Sequence, residues 1–237
     1  MLDTMVLKPE TTGVFLYMTS FALTNPIRAA WKKAKALWTA PAVDTPESLR
    51  EFVAARAALI AQKVAVDYCR GKTGLFSHAL FEEKEFQDAL TVCRWEAFAA
   101  TLGDILILTE GALRTTAQAI DRDRLRRVDA ALAGFYPAIL AAGPLPLHRA
   151  GKGWTDAEAD FATRFAAACA APPGEPVQVA MHSAKRLFET LPIHTNMRQF
   201  DEEIVHGAVL FRMVSVHEEL GRRANPEKLV AALAAAS

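Results

Sequence analysis

Residues 82–117 read EEKEFQDALTVCRWEAFAATLGDILILTEGALRTTA, and the fold turns on whether this is one helix. Phe86, Leu90, Cys93, Phe98, Leu102, Ile105, Leu106 and Leu113 recur at helical spacing, and no proline interrupts them. They cover much of the helix circumference, and a helix apolar nearly all round belongs in the middle of its bundle. Gly103 and Gly111 lower its intrinsic propensity, but they leave space for a neighbouring helix to come close.

Working upstream, Thr45-Pro46-Glu47 opens a second helix. The residue before a proline is pushed out of the α region, which suits a cap. Leu49, Phe52, Val53, Leu59 and Ile60 continue it, and Gly71 is expected to close it in the left-handed conformation glycine tolerates. Asn25-Pro26 starts another helix, IRAAWKKAKALW at 27–38. Residues 1–25 leave strand and helix both open.

Downstream, DRDRLRRVDAALAGFYPAILAAG at 121–143 carries a stripe of Leu125, Val128, Leu132, Phe135 and Ile139, and Pro137 should kink or break it. Thr155 and Glu158 have the spacing of a capping box, followed by Phe161, Phe165 and Cys169. PPGEP at 172–176 is a linker. A sixth helix is expected at 177–191. A seventh at 197–223, capped by Asn196, would turn Phe200, Ile204, Phe211, Val214 and Leu220 inward. Asn225-Pro226 opens a short last helix. The expectation is an all-α, single-domain helical bundle of seven or eight helices around a long apolar central helix (about 82–117). Residues 172–176 mark where a sub-boundary would fall.

Composition narrows the function classes. The chain has 237 residues, 51% of them hydrophobic, and 27 basic residues balance 27 acidic ones. That balance gives no overall electrostatic footprint for nucleic acid. The apolar run at 14–23 is ten residues long, against the ~20 needed to span a bilayer. Contact with a membrane surface stays open, but spanning does not. Cys69, Cys93 and Cys169 form no C-x-x-C pair, so a reducing, cytoplasmic setting with buried thiols is expected.

Several stretches carry the residue types of chemistry. CRGKTG at 69–74 lacks the first glycine of a phosphate loop, because Val66 stands there, and a helix precedes it instead of a strand. Ser77-His78 has Leu75 and Ala79 where a nucleophile elbow needs glycines. Glu203 and His206 have di-iron ligand spacing, but no second such motif exists. Glu96 and Asp104 are ~12 Å apart along the central helix, and Glu96 and Glu110 ~21 Å. If buried, each acid needs its own partner. Arg70, Arg94 and Arg114 are nearest in sequence.

Two surfaces remain. The turn at 70–96 is the candidate ligand or anion site, where Arg70, Lys72, His78, Glu82 and Arg94 lie at adjoining helix ends. The helix at 27–38 places Trp31 and Trp38 on one face, with Lys32 and Lys35 beside them, as a contact for a partner or membrane surface. No catalytic constellation passes the spacing tests, and no metal or other cofactor is expected. The sequence therefore favours a non-catalytic helical interaction protein (adaptor, assembly factor or regulator) that binds a protein partner or a second copy of itself. The alternative is an enzyme or small-ligand binder with its site at the 70–96 turn.

Overall fold

The computed structural model describes residues 41–119 and 121–236, and the described residues form an all-α helical bundle. Helix α1 (Pro46–Thr73) begins with a capping box: Ser48 N donates to Thr45 Oγ1 at 3.2 Å, and Thr45 N donates to Ser48 Oγ at 3.1 Å. The helix runs through Gly71 and stops at Gly74, whose φ of 52° lies in the region that favours glycine. A 3-10 turn (Gly74–Phe76) leads into the short α2 (Ser77–Glu82). Extended backbone at Glu83 then separates α2 from the long helix α3 (Lys84–Gln118).

Helix α3 is the axis of the bundle. Every residue from Cys93 to Glu110 is buried, as its all-round apolar pattern requires. Against it pack α1, α2, α4 (Arg122–Ala141), α5 (Thr155–Ala170), the one-turn α6 (Pro176–Val179) and α7 (Met181–Thr190). Beyond the turn α8 (Thr195–Arg198), α9 (Glu202–Arg223) and α10 (Pro226–Ala235) complete the shell around it. The α1 face against α3 is built from Ala54, Ala57, Ala58, Ala61 and Ala65, all buried, and small side chains let two helices approach closely. Gly103 does the same for α5: a Cβ there would meet Arg164 Nη2 at 2.9 Å and Phe161 at 3.0 Å. One cluster of buried side chains draws on both sides of residues 172–176.

Several local expectations are corrected. Helix α4 runs on through Pro137 unbroken, so of the two expected outcomes, a kink or a break, the break does not occur. Thr155 forms no capping box, since α5 starts at Thr155 itself after Trp154. The sixth helix divides at Ala180 into α6 and α7. The seventh starts at Glu202, not 197, because residues 195–198 form a separate turn. That last shift changes which face of α9 is inside. Val205, Val209, Met213, Val216 and Leu220 are buried, while Phe200, Ile204 and Phe211 are exposed.

Candidate functional site

Two regions depart from the rule of apolar inside and polar outside. The first is the row of acids on α3. Glu96 is buried and accepts four hydrogen bonds. Arg149 reaches it through Nε at 2.7 Å and Nη2 at 2.5 Å, Arg186 Nη2 at 2.6 Å and His148 Nε2 at 2.8 Å. Burial by itself would raise its pKa. The hydrogen bonds from Arg149, Arg186 and His148 outweigh burial and hold it down to about 2. Arg149 is itself buried, stacks 4.6 Å from the Trp154 ring and also pairs with Asp156.

Asp104 is wholly buried and takes Arg164 Nη1 at 2.7 Å and the Ser183 backbone N–H at 2.9 Å. Burial pushes its carboxyl up, against the pull of Arg164 and Ser183. Glu110 is paired with Arg114, whose guanidinium also donates to the carbonyls of Ala168 and Ala171 and so caps α5. Each acid therefore has its own cation, as burial demands. Only Arg114 comes from near in sequence. Arg149, Arg164 and Arg186 arrive from other elements. Arg94 instead donates to Gln62 at 2.9 Å, and Arg70 lies 5.5 Å from the Phe81 ring.

Glu110, Asp129 and Cys169 hold their ligand-type atoms within 4.8 Å of one another. Arg114 already supplies the positive charge a metal would bring. Burial, then repulsion from Glu110, pushes Asp129 up to about 6. Burial pushes the Cys169 thiol up to about 12, Cys69 to about 12 and Cys93 to about 11, which keeps all three protonated and poorly nucleophilic at neutral pH. Glu203 faces solvent, while His206 lies 3.6 Å from Glu202 and packs edge-on to Phe188, so the di-iron spacing gathers no ligand set.

The second region is the end of the bundle where α1 finishes and α9 begins. Asp201 accepts from Lys72 Nζ at 2.6 Å and from the Tyr68 hydroxyl at 2.8 Å, which fastens the start of α9 to the last turns of α1. Beside this fastening, Leu75 is 100% exposed, Phe76 80% and Phe200 85%. Ile204 and Phe211 continue the apolar surface along α9, at 65% and 74%. Three phenylalanines so exposed, at roughly 200 Å² each, present on the order of 450 Å². A groove of about 490 Å³ runs between α1 and α9, lined by Val64, Tyr68, Lys72, Ile204, Val205 and Ala208.

The candidate residues at 70–96 therefore separate. Lys72 belongs to the groove, Arg70 to Phe81 and Arg94 to Gln62. His78 and Glu82 form an exposed pair at 3.4 Å. Trp31, Trp38, Lys32 and Lys35 lie outside the described residues. The exposed apolar face of α9 was missed because both of its faces carry large apolar residues. The signal that separates them is the longer stripe at 205, 209, 213, 216 and 220, read from a helix that starts with the dipole-favoured acids Glu202 and Glu203. None of the described helices is long and apolar enough to cross a membrane. Compared with known proteins, the chain matches no family model, no curated protein and no solved structure.

Proposed function

We propose that this is a non-catalytic helical interaction protein, and that its partner protein docks on the apolar surface formed by Leu75, Phe76 and Phe200 at the end of the bundle and by Ile204 and Phe211 along α9. The observation that carries this is the exposure of those side chains, Leu75 and Phe76 in the 3-10 turn, Phe200 just before α9, and Ile204 and Phe211 on α9 opposite its buried face. The groove beside them suits an amphipathic helix of the partner. Apolar anchors would enter between Val64 and Val205, and polar groups would meet Lys72 and Asp201 at one end and Arg212 and Asp67 at the other.

The test replaces Leu75, Phe76 and Phe200 together by Ser. Sedimentation measures self-association, and capture from a native extract measures hetero-association. A partner or second copy held by the wild type and released by a folded triple variant supports the proposal. Identical binding by both proteins contradicts it. An enzyme or small-ligand site at the 70–96 turn is the weaker reading, because Arg70, Lys72 and Arg94 face separate partners and His78 and Glu82 pair with each other in solvent.

A further inference from the structure

We propose that the space between α5 and α7 is a binding site for a small zwitterion, a molecule carrying an ammonium and a carboxylate on one short skeleton, such as a free amino acid. Both helices pack on α3, and between them lies a cleft of about 300 Å³. Its base is made by Ala99 and Ala100 of α3, Tyr136 of α4 and the buried Glu96–Arg149 pair. The volume accommodates on the order of ten heavy atoms, taking the ~30 Å³ of a water molecule as the unit. That is the low end for small-molecule sites.

The two walls differ in sign. Helix α5 contributes Asp156 and Asp160, one turn apart on the same face. Helix α7 contributes His182, Lys185 and Arg186, with Glu189 at the end. A simple anion would face the α5 carboxylates, and a simple cation would face Lys185 and Arg186. A molecule with both charges satisfies both walls.

The walls also have capacity to spare. Glu96 and Arg149 are saturated by their mutual bonds and by His148, Arg186 and Asp156. Arg186 spends only Nη2 on Glu96, with Nη1 3.8 Å from Glu189. Lys185 lies 3.9 Å from Glu189. Asp160 takes Arg164 Nε on Oδ2 at 2.9 Å, with His182 Nε2 3.5 Å from the same oxygen. Its Oδ1 receives no donor among the described residues.

The base of the cleft adds one more polar side chain. Tyr136 is only 2% exposed, its ring stacks on Phe161 at 4.2 Å, and it lines the cleft. Arg164, Asp160, Asp104 and Arg149 all act on its hydroxyl electrostatically, and a bound polar group in the cleft would meet that hydroxyl.

The test is calorimetric titration of the full chain with each free proteinogenic amino acid at millimolar concentration. Any binder is then repeated as its N-acetyl and carboxamide forms. The expected result is saturable binding of at least one amino acid, weakened about tenfold or more by blocking either end and by Tyr136→Phe or Asp160→Asn. Lys185→Gln, at an exposed side chain, keeps the test valid if Tyr136→Phe does not fold. No binding by any amino acid, or equal binding of the blocked forms, overturns the proposal. So does undiminished binding by the variants. Phe200→Ser lies at the other site and should leave the titration unchanged, so this result and the partner test stand or fall separately.

Discussion

Along α3 three carboxylates are withdrawn from water, while at the α1–α9 end five large apolar side chains are left in it. Both arrangements cost free energy in isolation, and the structure treats them differently. Every buried acid is answered within the chain: Glu96 by Arg149, Arg186 and His148, Asp104 by Arg164 and Ser183, and Glu110 by Arg114. The exposed Leu75, Phe76 and Phe200 receive no comparable cover among the described residues. The first region is answered by its own chain and ties α5, α7 and the 147–149 turn to α3. The second has the composition of a core without the other half, which is what a docking surface looks like before its partner arrives.

The comparison is open to attack by substitution. The largest effect is expected at Arg149. Arg149→Met strips Glu96 of its bidentate partner and should lower unfolding free energy by about 3–5 kcal/mol in urea titration. Adding Glu96→Leu should recover part of the loss. A loss below that of an ordinary surface substitution would mean that the acid row is not structural.

Next in size is a contrast within α9. Met213→Ala, on the buried face, should cost about 2–5 kcal/mol. Phe211→Ala, two residues earlier on the exposed face, should stay within about 0.5 kcal/mol. Equal costs would show that Phe211 is packed after all.

pH separates the two acids whose shifts run in opposite directions. Glu96 falls from an ordinary 4.5 to about 2 on folding. Its stabilising contribution is therefore present above about 4.5 and lost as pH falls toward 2. Asp129 rises from 3.8 to about 6, so its contribution is present at low pH and lost as pH climbs through about 6. Arg149→Met should flatten the acid limb of a stability–pH curve, and Asp129→Asn should remove the decline approaching pH 6. The smallest effect belongs to the exposed pair: His78→Ala should change stability by no more than about 0.5 kcal/mol.

The helices were legible because their signals are local. Thr45-Pro46, Asn225-Pro226 and the unbroken apolar run of α3 act within a turn or two, and the structure keeps all three. The ion pairs were legible only where both partners share a helix. Arg114 sits four residues from Glu110, but Arg149 and Arg164 lie 53 and 60 residues from their acids. Spacing cannot see such closures, because they are made by packing. The cleft between α5 and α7 was hidden for the same reason: Tyr136, Asp160 and Arg186 belong to three helices. The exposed apolar face was hidden by ambiguity instead. Phe200, Ile204 and Phe211 satisfy a helical period as well as core residues do, and only the longer stripe at 205, 209, 213, 216 and 220 marks the face that turns inward.

The central claim is that the apolar end is a protein-binding surface. A photo-crosslinking phenylalanine analogue, placed in turn at Phe76, Phe200 and Phe211, and at Glu158 on α5 as a control, tests it in a native extract. The account predicts one shared adduct from the three apolar positions and none from Glu158. The same adducts from all four positions, or none from any, would contradict it.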